Sequence, residues 1–180
     1  VDERPAESAE IGKARRRKED QRLITGRTKW TDNIVLPGML HLAMVRSPFA
    51  HAKVTSIDTE AAKGATNVVA VYTAADFPDG MGACANAWPI TPEQVTPDHL
   101  PMVTEHVACA GEIVAVVVAR SAAAARDAAE LVDVDYEELP AVLDAKEALK
   151  DEVLAHPDKG TNKSAFWRLD SAEAGTATIA

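Results

Sequence analysis

Aromatic residues are scarce in this chain: three Trp, three Phe and two Tyr among 180 residues. Proteins that grip single-stranded nucleic acid stack bases on several aromatic rings, so that class is set aside. Cysteine is scarcer still. Cys84 and Cys109 are the only two, and they form no C-x-x-C pair. A disulfide scaffold is thereby excluded, and at most one Cys84–Cys109 bridge is left. Long apolar runs are missing as well. The longest, Ile113–Ala119, falls far short of the about 20 residues that cross a bilayer and suits a buried strand. What remains is a foldable balance of 47% hydrophobic and 26% charged residues, which excludes disorder over the whole length.

The formal net charge of −9 hides an asymmetry. Residues 1–30 hold nine Lys/Arg against six Asp/Glu, a balance of +3, and residues 31–180 hold ten against twenty-two, a balance of −12. The acidic body repels phosphate backbones. The basic excess centres on Lys13, Arg15, Arg16, Arg17 and Lys18. Such an arm either docks on an acidic partner surface, stays solvated, or binds nucleic acid. A twin-arginine export signal would need an apolar stretch after the Arg run, and Glu19-Asp20-Gln21 stands there instead. The expected location is therefore cytoplasmic, without a targeting segment.

Along the chain, Leu36-Pro37-Gly38-Met39 is a turn signal, since Pro presets φ and Gly permits the left-handed region. Strands are expected at Leu40–Val45, Lys53–Ile57, Val68–Tyr72, Ile113–Ala119 and Val132–Glu137. Thr59–Lys63 should form a short helix ended by Gly64. Ser121 should cap an alanine-rich helix reaching about Leu131. Asp144-Ala-Lys-Glu147 has the pattern of a capping box. Strand–helix–strand thus occurs twice, which predicts an α+β fold with a mixed sheet and helices on one face. Ile113–Ala119, apolar at every position, is placed centrally, and a charge at Val116 is expected to unfold the domain. Residues 77–104 break the pattern. Five of the ten prolines lie there, and a long irregular loop is predicted. Its Met81, Trp88 and Met102 are read as apolar surface for packing against a partner.

The chemistry of the residues points to no catalytic centre. Neither strand–helix–strand unit carries G-x-G-x-x-G or G-x-x-x-x-G-K-[ST], and no G-x-S-x-G elbow occurs. His99, His106 and Cys109 have no zinc-ligand spacing and read as loop residues. His51 reads as a structural histidine. Cys109 precedes Glu112, whose carboxylate disfavours a thiolate. Asp133, Asp135 and Glu137 alternate with Val132, Val134 and Tyr136, so they read as the solvated face of a strand rather than paired catalytic carboxylates.

Eight stretches in order carry a resemblance. Arg17-Lys-Glu-Asp-Gln-Arg-Leu-Ile-Thr-Gly-Arg27 is followed by Thr31-Asp-Asn-Ile-Val-Leu-Pro-Gly-Met-Leu40, Arg46-Ser-Pro-Phe-Ala-His-Ala52 and Ser56-Ile-Asp58. Val69-Ala-Val-Tyr-Thr-Ala-Ala-Asp76, Gly111-Glu112, Val134-Asp-Tyr-Glu-Glu-Leu-Pro-Ala-Val-Leu-Asp144 and His156-Pro-Asp-Lys-Gly-Thr-Asn162 complete the series. Together they resemble the start of the large, molybdopterin-binding subunits of the xanthine dehydrogenase/aldehyde oxidase family, aerobic carbon monoxide dehydrogenase large chains in particular. Ile113 stands where the family usually has Pro, and Cys109 where an aromatic is common.

The resemblance implies an α/β-hammerhead domain over residues 17–150, a flexible basic arm at 1–16, and at 151–180 a linker into the molybdopterin-binding region. It also implies a molybdenum hydroxylase acting on carbon monoxide, an aldehyde or a heterocycle, with the oxygen drawn from water. The whole enzyme would use molybdopterin cytosine dinucleotide, with iron–sulfur clusters and FAD in partner subunits. No catalytic, cofactor-binding or metal-binding residue is carried over to this chain, which is expected to be inactive alone. Arg15, Arg16, Arg17, Met81, Trp88 and Met102 are its candidate contacts with the rest of the large subunit, the iron–sulfur subunit and the FAD subunit. A stand-alone binding or assembly module of the same fold is the alternative.

Overall fold

The computed structural model describes residues 14–77, 79–85 and 91–166. Trp88 and residues 1–13 of the basic arm lie outside them. The chain divides into two compact units, Val1–Met39 and Leu40–Ala180.

In the first unit, Asp20–Ile24 forms one short helix, α1. The Arg17 N–H donates to the Asp20 carboxylate at 3.0 Å, and Thr25 Oγ1 closes the far end on the Gln21 carbonyl at 2.6 Å. The turn expected at Leu36–Met39 is present: Met39 N–H donates to the Leu36 carbonyl at 3.1 Å, with Gly38 at φ +75°.

Among its described residues, the second unit contains six strands: β1 His41–Arg46, β2 Ala52–Asp58, β3 Val68–Thr73, β4 His106–Val107, β5 Ile113–Ala119 and β6 Asp133–Glu138. The helices are α2 Glu60–Lys63, α3 Ala122–Ala129 and α4 Ala145–Ala148. The α+β class holds. One mixed sheet does not: the strands make two antiparallel three-stranded sheets, β1-β5-β3 and β4-β2-β6. Each strand–helix–strand unit starts in one sheet and ends in the other. The helical connectors are only one or two turns long, and antiparallel pairing needs no same-sheet crossover.

β5 is the middle strand of its sheet, and its Ala115, Val117 and Ala119 are buried. Helix α3 covers that face, starting at Ser121, whose hydroxyl accepts the Ala124 N–H at 3.2 Å. Ala125 and Ala128 are small enough to let the helix backbone lie close to the strands. Ala62, Val71, Val117 and Ala128 form one core cluster with Val68 and Val132 packed on it. A second cluster joins Ala52, Val103, Val107 and Val114 to Phe49, Val134 and Tyr136. Val45 of β1 touches both clusters.

Val116 corrects the expectation placed on it. It is only partly buried, and the fully buried β5 valines are Val114 and Val117. A strand that is apolar at every position does not reveal which of its faces the rest of the chain covers.

Candidate functional site

Three of the sequence stretches quoted above meet at one corner of the second unit. Ser47 is buried, and its backbone grips the Gly111-Glu112 turn from both sides. Its N–H donates to the Glu112 carbonyl at 2.9 Å, and its carbonyl accepts the Gly111 N–H at 2.8 Å. Arg46 Nη1 donates to the Gly111 carbonyl at 2.6 Å. Gly111 has φ +94°, a conformation that a side chain would strain. The Glu112 carboxylate turns back to accept the Ala108 N–H at 2.7 Å. Across the corner, the Phe49 and Tyr136 rings lie 5.0 Å apart. His51 is buried and its Nδ1–H donates to the Pro140 carbonyl at 2.6 Å, while Leu139 N–H donates to the His51 carbonyl at 3.0 Å. These are structural duties. They tie Arg46–Ala52, Gly111-Glu112 and Val134–Asp144 into one clasp.

Beside this clasp runs a cleft of about 410 Å³. Leu100, Met102 and Val103 give it apolar walls, and Asp98, Glu112 and Asp158 supply carboxylates. Lys159 Nζ sits 3.1 Å from Asp158 and 3.6 Å from Asp98. That ammonium holds the Asp158 carboxyl below the usual carboxylate range, and Asp158 in turn raises Lys159. Cys109 is exposed and free, as is Cys84. Partial burial, reinforced by the Glu112 charge, pushes the Cys109 thiol up, so it is protonated at neutral pH and a poor nucleophile. Among the described residues, no three His, Cys, Asp or Glu side chains converge on a point that could hold a metal ion. Asp133, Asp135, Glu137 and Glu138 lie exposed on β6, and Asp135 accepts from Ser56 Oγ at 2.7 Å.

The residues expected to make contacts fall in different places. Arg15, Arg16 and Arg17 are exposed in the first unit. Met81 is partly exposed in the second. Met102 is only 7% exposed, which corrects its reading as free surface. The cause is the turn beside it: Val103 N–H donates to the Ile113 carbonyl at 2.8 Å, pulling the end of the proline-rich loop into the core. Sequence reasoning overlooked a different surface, the uncovered face of the β1-β5-β3 sheet. Leu42 is 54% exposed, Met44 46% and Tyr72 43%. The available signal was two apolar strands flanking a third.

Among the described residues, no helix is long and apolar enough to cross a membrane.

Comparison with known proteins gives a consistent result. The chain is 38% identical over 130 residues to the xanthine dehydrogenase molybdenum-binding subunit of Escherichia coli O157:H7, covering 72% of this chain and 17% of that one. It is 36% identical to the carbon monoxide dehydrogenase large chain of Afipia carboxidovorans, covering 100% of this chain and 24% of the relative. The solved quinoline 2-oxidoreductase of Pseudomonas putida 86 superposes with a TM-score of 0.71 at 42% identity, over 82% of this chain and 19% of that one. The chain spans about a fifth of the length of these relatives. Residues 25–140, which include the clasp and both sheets, match the family described as aldehyde oxidase and xanthine dehydrogenase, a/b hammerhead domain. The chain belongs to that family, as its hammerhead domain.

Proposed function

We propose that this chain serves as the hammerhead scaffold of a longer oxidoreductase subunit and takes no chemical step itself. The observation that carries this reading is the family match over residues 25–140 in a chain that spans about a fifth of its relatives. The named relatives include a molybdenum-binding subunit and a large chain, which supports a molybdenum enzyme built from several subunits. The whole enzyme would oxidise carbon monoxide, an aldehyde or a nitrogen heterocycle. A molybdenum-bearing molybdopterin cytosine dinucleotide would supply the hydroxylation chemistry, and iron–sulfur and FAD partner subunits would carry electrons away.

The residues of this chain do not fit that cofactor. A pterin dinucleotide carries a pyrophosphate, and phosphates are held by cationic side chains or converging backbone N–H groups. The cleft beside the clasp is lined by three carboxylates and two histidines, with neither an arginine nor a lysine in its wall. The cofactor would therefore be held elsewhere in the subunit. Here the clasp at Ser47 and Gly111 fixes the shape of a rigid domain. Arg15, Arg16, Arg17 and Met81 would contact the rest of the subunit or its partners.

Metal analysis tests the reading. The 180-residue chain and the complete natural subunit are purified from cells supplied with molybdate. The expected result is molybdenum in the complete subunit and none above background in the chain. Stoichiometric molybdenum in the chain overturns it.

A further inference from the structure

The two sheets wear different outer faces. On the β4-β2-β6 sheet, Lys53 stands opposite Glu137, Ser56 opposite Asp135 and Asp58 opposite Asp133. That is the ordinary arrangement for an antiparallel sheet with one side in water. On the β1-β5-β3 sheet, the register sets Leu42 opposite Val118, and Met44 and Tyr72 on either side of Val116. Phe77 extends the surface, its ring 6.3 Å from that of Tyr72. One cation stands at the edge of this face, Arg46, whose Nη2 reaches the Met44 sulfur at 3.0 Å; a sheet face otherwise apolar across all three strands is built to be covered.

We propose that this face is the docking surface for an apolar element of the remainder of the same subunit. The proposal rests on the reading of the chain as one domain of a longer subunit. Two physical arguments select this occupant over a second copy of the chain. The first is area. Three strands of six or seven residues present roughly 300 Å², from the rise along a strand and the spacing between strands. A stable association of separate proteins buries about 800 Å² on each partner. A covalently attached element needs less, because it does not lose the translational and rotational freedom of a free molecule. The second is charge. The chain carries a net charge of −9, so two copies brought face to face repel each other. The relatives are a little over four times the length of this chain, which leaves ample attached chain to fill the face.

Side-chain oxidation by hydroxyl radicals, read residue by residue by mass spectrometry, tests this on unmodified protein. Met44 and Tyr72 report on the face, and buried Met102 is the internal reference. In the 180-residue chain, Met44 should oxidise much faster than Met102. In the complete subunit, Met44 and Tyr72 should fall to the Met102 level. Equal Met44 oxidation in both proteins overturns the proposal while leaving the longer-subunit reading intact. A slow Met44 in the short chain also overturns it: light scattering then assigns the cover to a second copy if the chain is dimeric, or to the chain's own residues if it is monomeric. A natural polypeptide of only this length, read from its intact mass, overturns both the proposal and the reading beneath it.

Discussion

Asp151 shows how much a single exposed residue can organise. It has φ +57°, a left-handed conformation that Asp and Asn tolerate better than most residues. From there its carboxylate accepts the Asn162 N–H at 2.7 Å and the Thr161 hydroxyl at 3.0 Å. Asn162 then closes the segment, donating from Nδ2 to the Ala148 and Val153 carbonyls and accepting the Ala155 N–H. The Asn162 and Thr161 bonds hold the Asp151 carboxyl below its ordinary value. Such a group is more acidic folded than unfolded. Its contribution to stability is therefore complete above the ordinary carboxylate range, and it is lost as pH falls through the lowered value. Asp151→Asn keeps the backbone conformation and removes the titration. The variant should lose less stability than the parent between pH 5 and the acid limit, measured by urea midpoints across that range. An unchanged acid slope would mean that the carboxylate is free in solution.

At the scale of elements, β5 decides the core. Val117 faces α3 and is fully buried, whereas its neighbour Val116 lies on the bare face. An aspartate at 117 would be a buried, unpaired charge costing several kcal/mol, a large part of the about 5–15 kcal/mol that stabilises a typical domain. The same substitution at 116 remains in contact with water and should cost about 1 kcal/mol, mostly through poorer strand propensity. In the 180-residue chain, Val117→Asp should therefore abolish the cooperative thermal transition, and Val116→Asp should lower its midpoint by roughly 2–4 °C. Equal loss in both variants would show that the face carrying Val116 is covered within this chain. The elements themselves were largely legible. Ser121, Asp144 and Gly38 act through hydrogen bonds or dihedral angles within a few residues of themselves, so their turns and caps follow from sequence. The division of five expected strands between two sheets did not, because strand pairing joins residues far apart in the chain.

Across the whole molecule, the proline-rich loop is less independent than its composition implied. Five prolines and little periodicity predicted an irregular, partner-seeking excursion. One backbone bond folds it on itself, Cys84 N–H to the His99 carbonyl at 2.7 Å, and two tie it down to the rest of the chain, Val95 N–H to the Ser164 carbonyl at 2.8 Å and Val103 N–H to the Ile113 carbonyl at 2.8 Å. Ser164 Oγ also donates to the Val95 carbonyl at 2.9 Å, so residues from the far end of the described chain help hold the loop. Native-state hydrogen exchange should find Val103 protected like β5, because its bond opens only with the core. Cys84 and Val95, at the surface, should exchange at intermediate rates. A Val103 amide that exchanges as fast as an unfolded chain would return the whole loop to the mobile class.

Local chemistry was readable from residue order: the helix caps, the Pro37-Gly38 turn, the alternation of β6 and the acidic body each depend on neighbours a few positions away. The family resemblance was readable too, although its physical basis was not. Only the folded chain brings Ser47 to Gly111 and His51 to Pro140, and so explains why those separated stretches belong together. Burial was the quantity that sequence left open. Met102 and Met44 are the same residue type, yet one lies inside the domain and the other on an uncovered sheet. Side-chain chemistry sets the free energy gained when either is covered. Tertiary packing decides whether the covering surface comes from this chain.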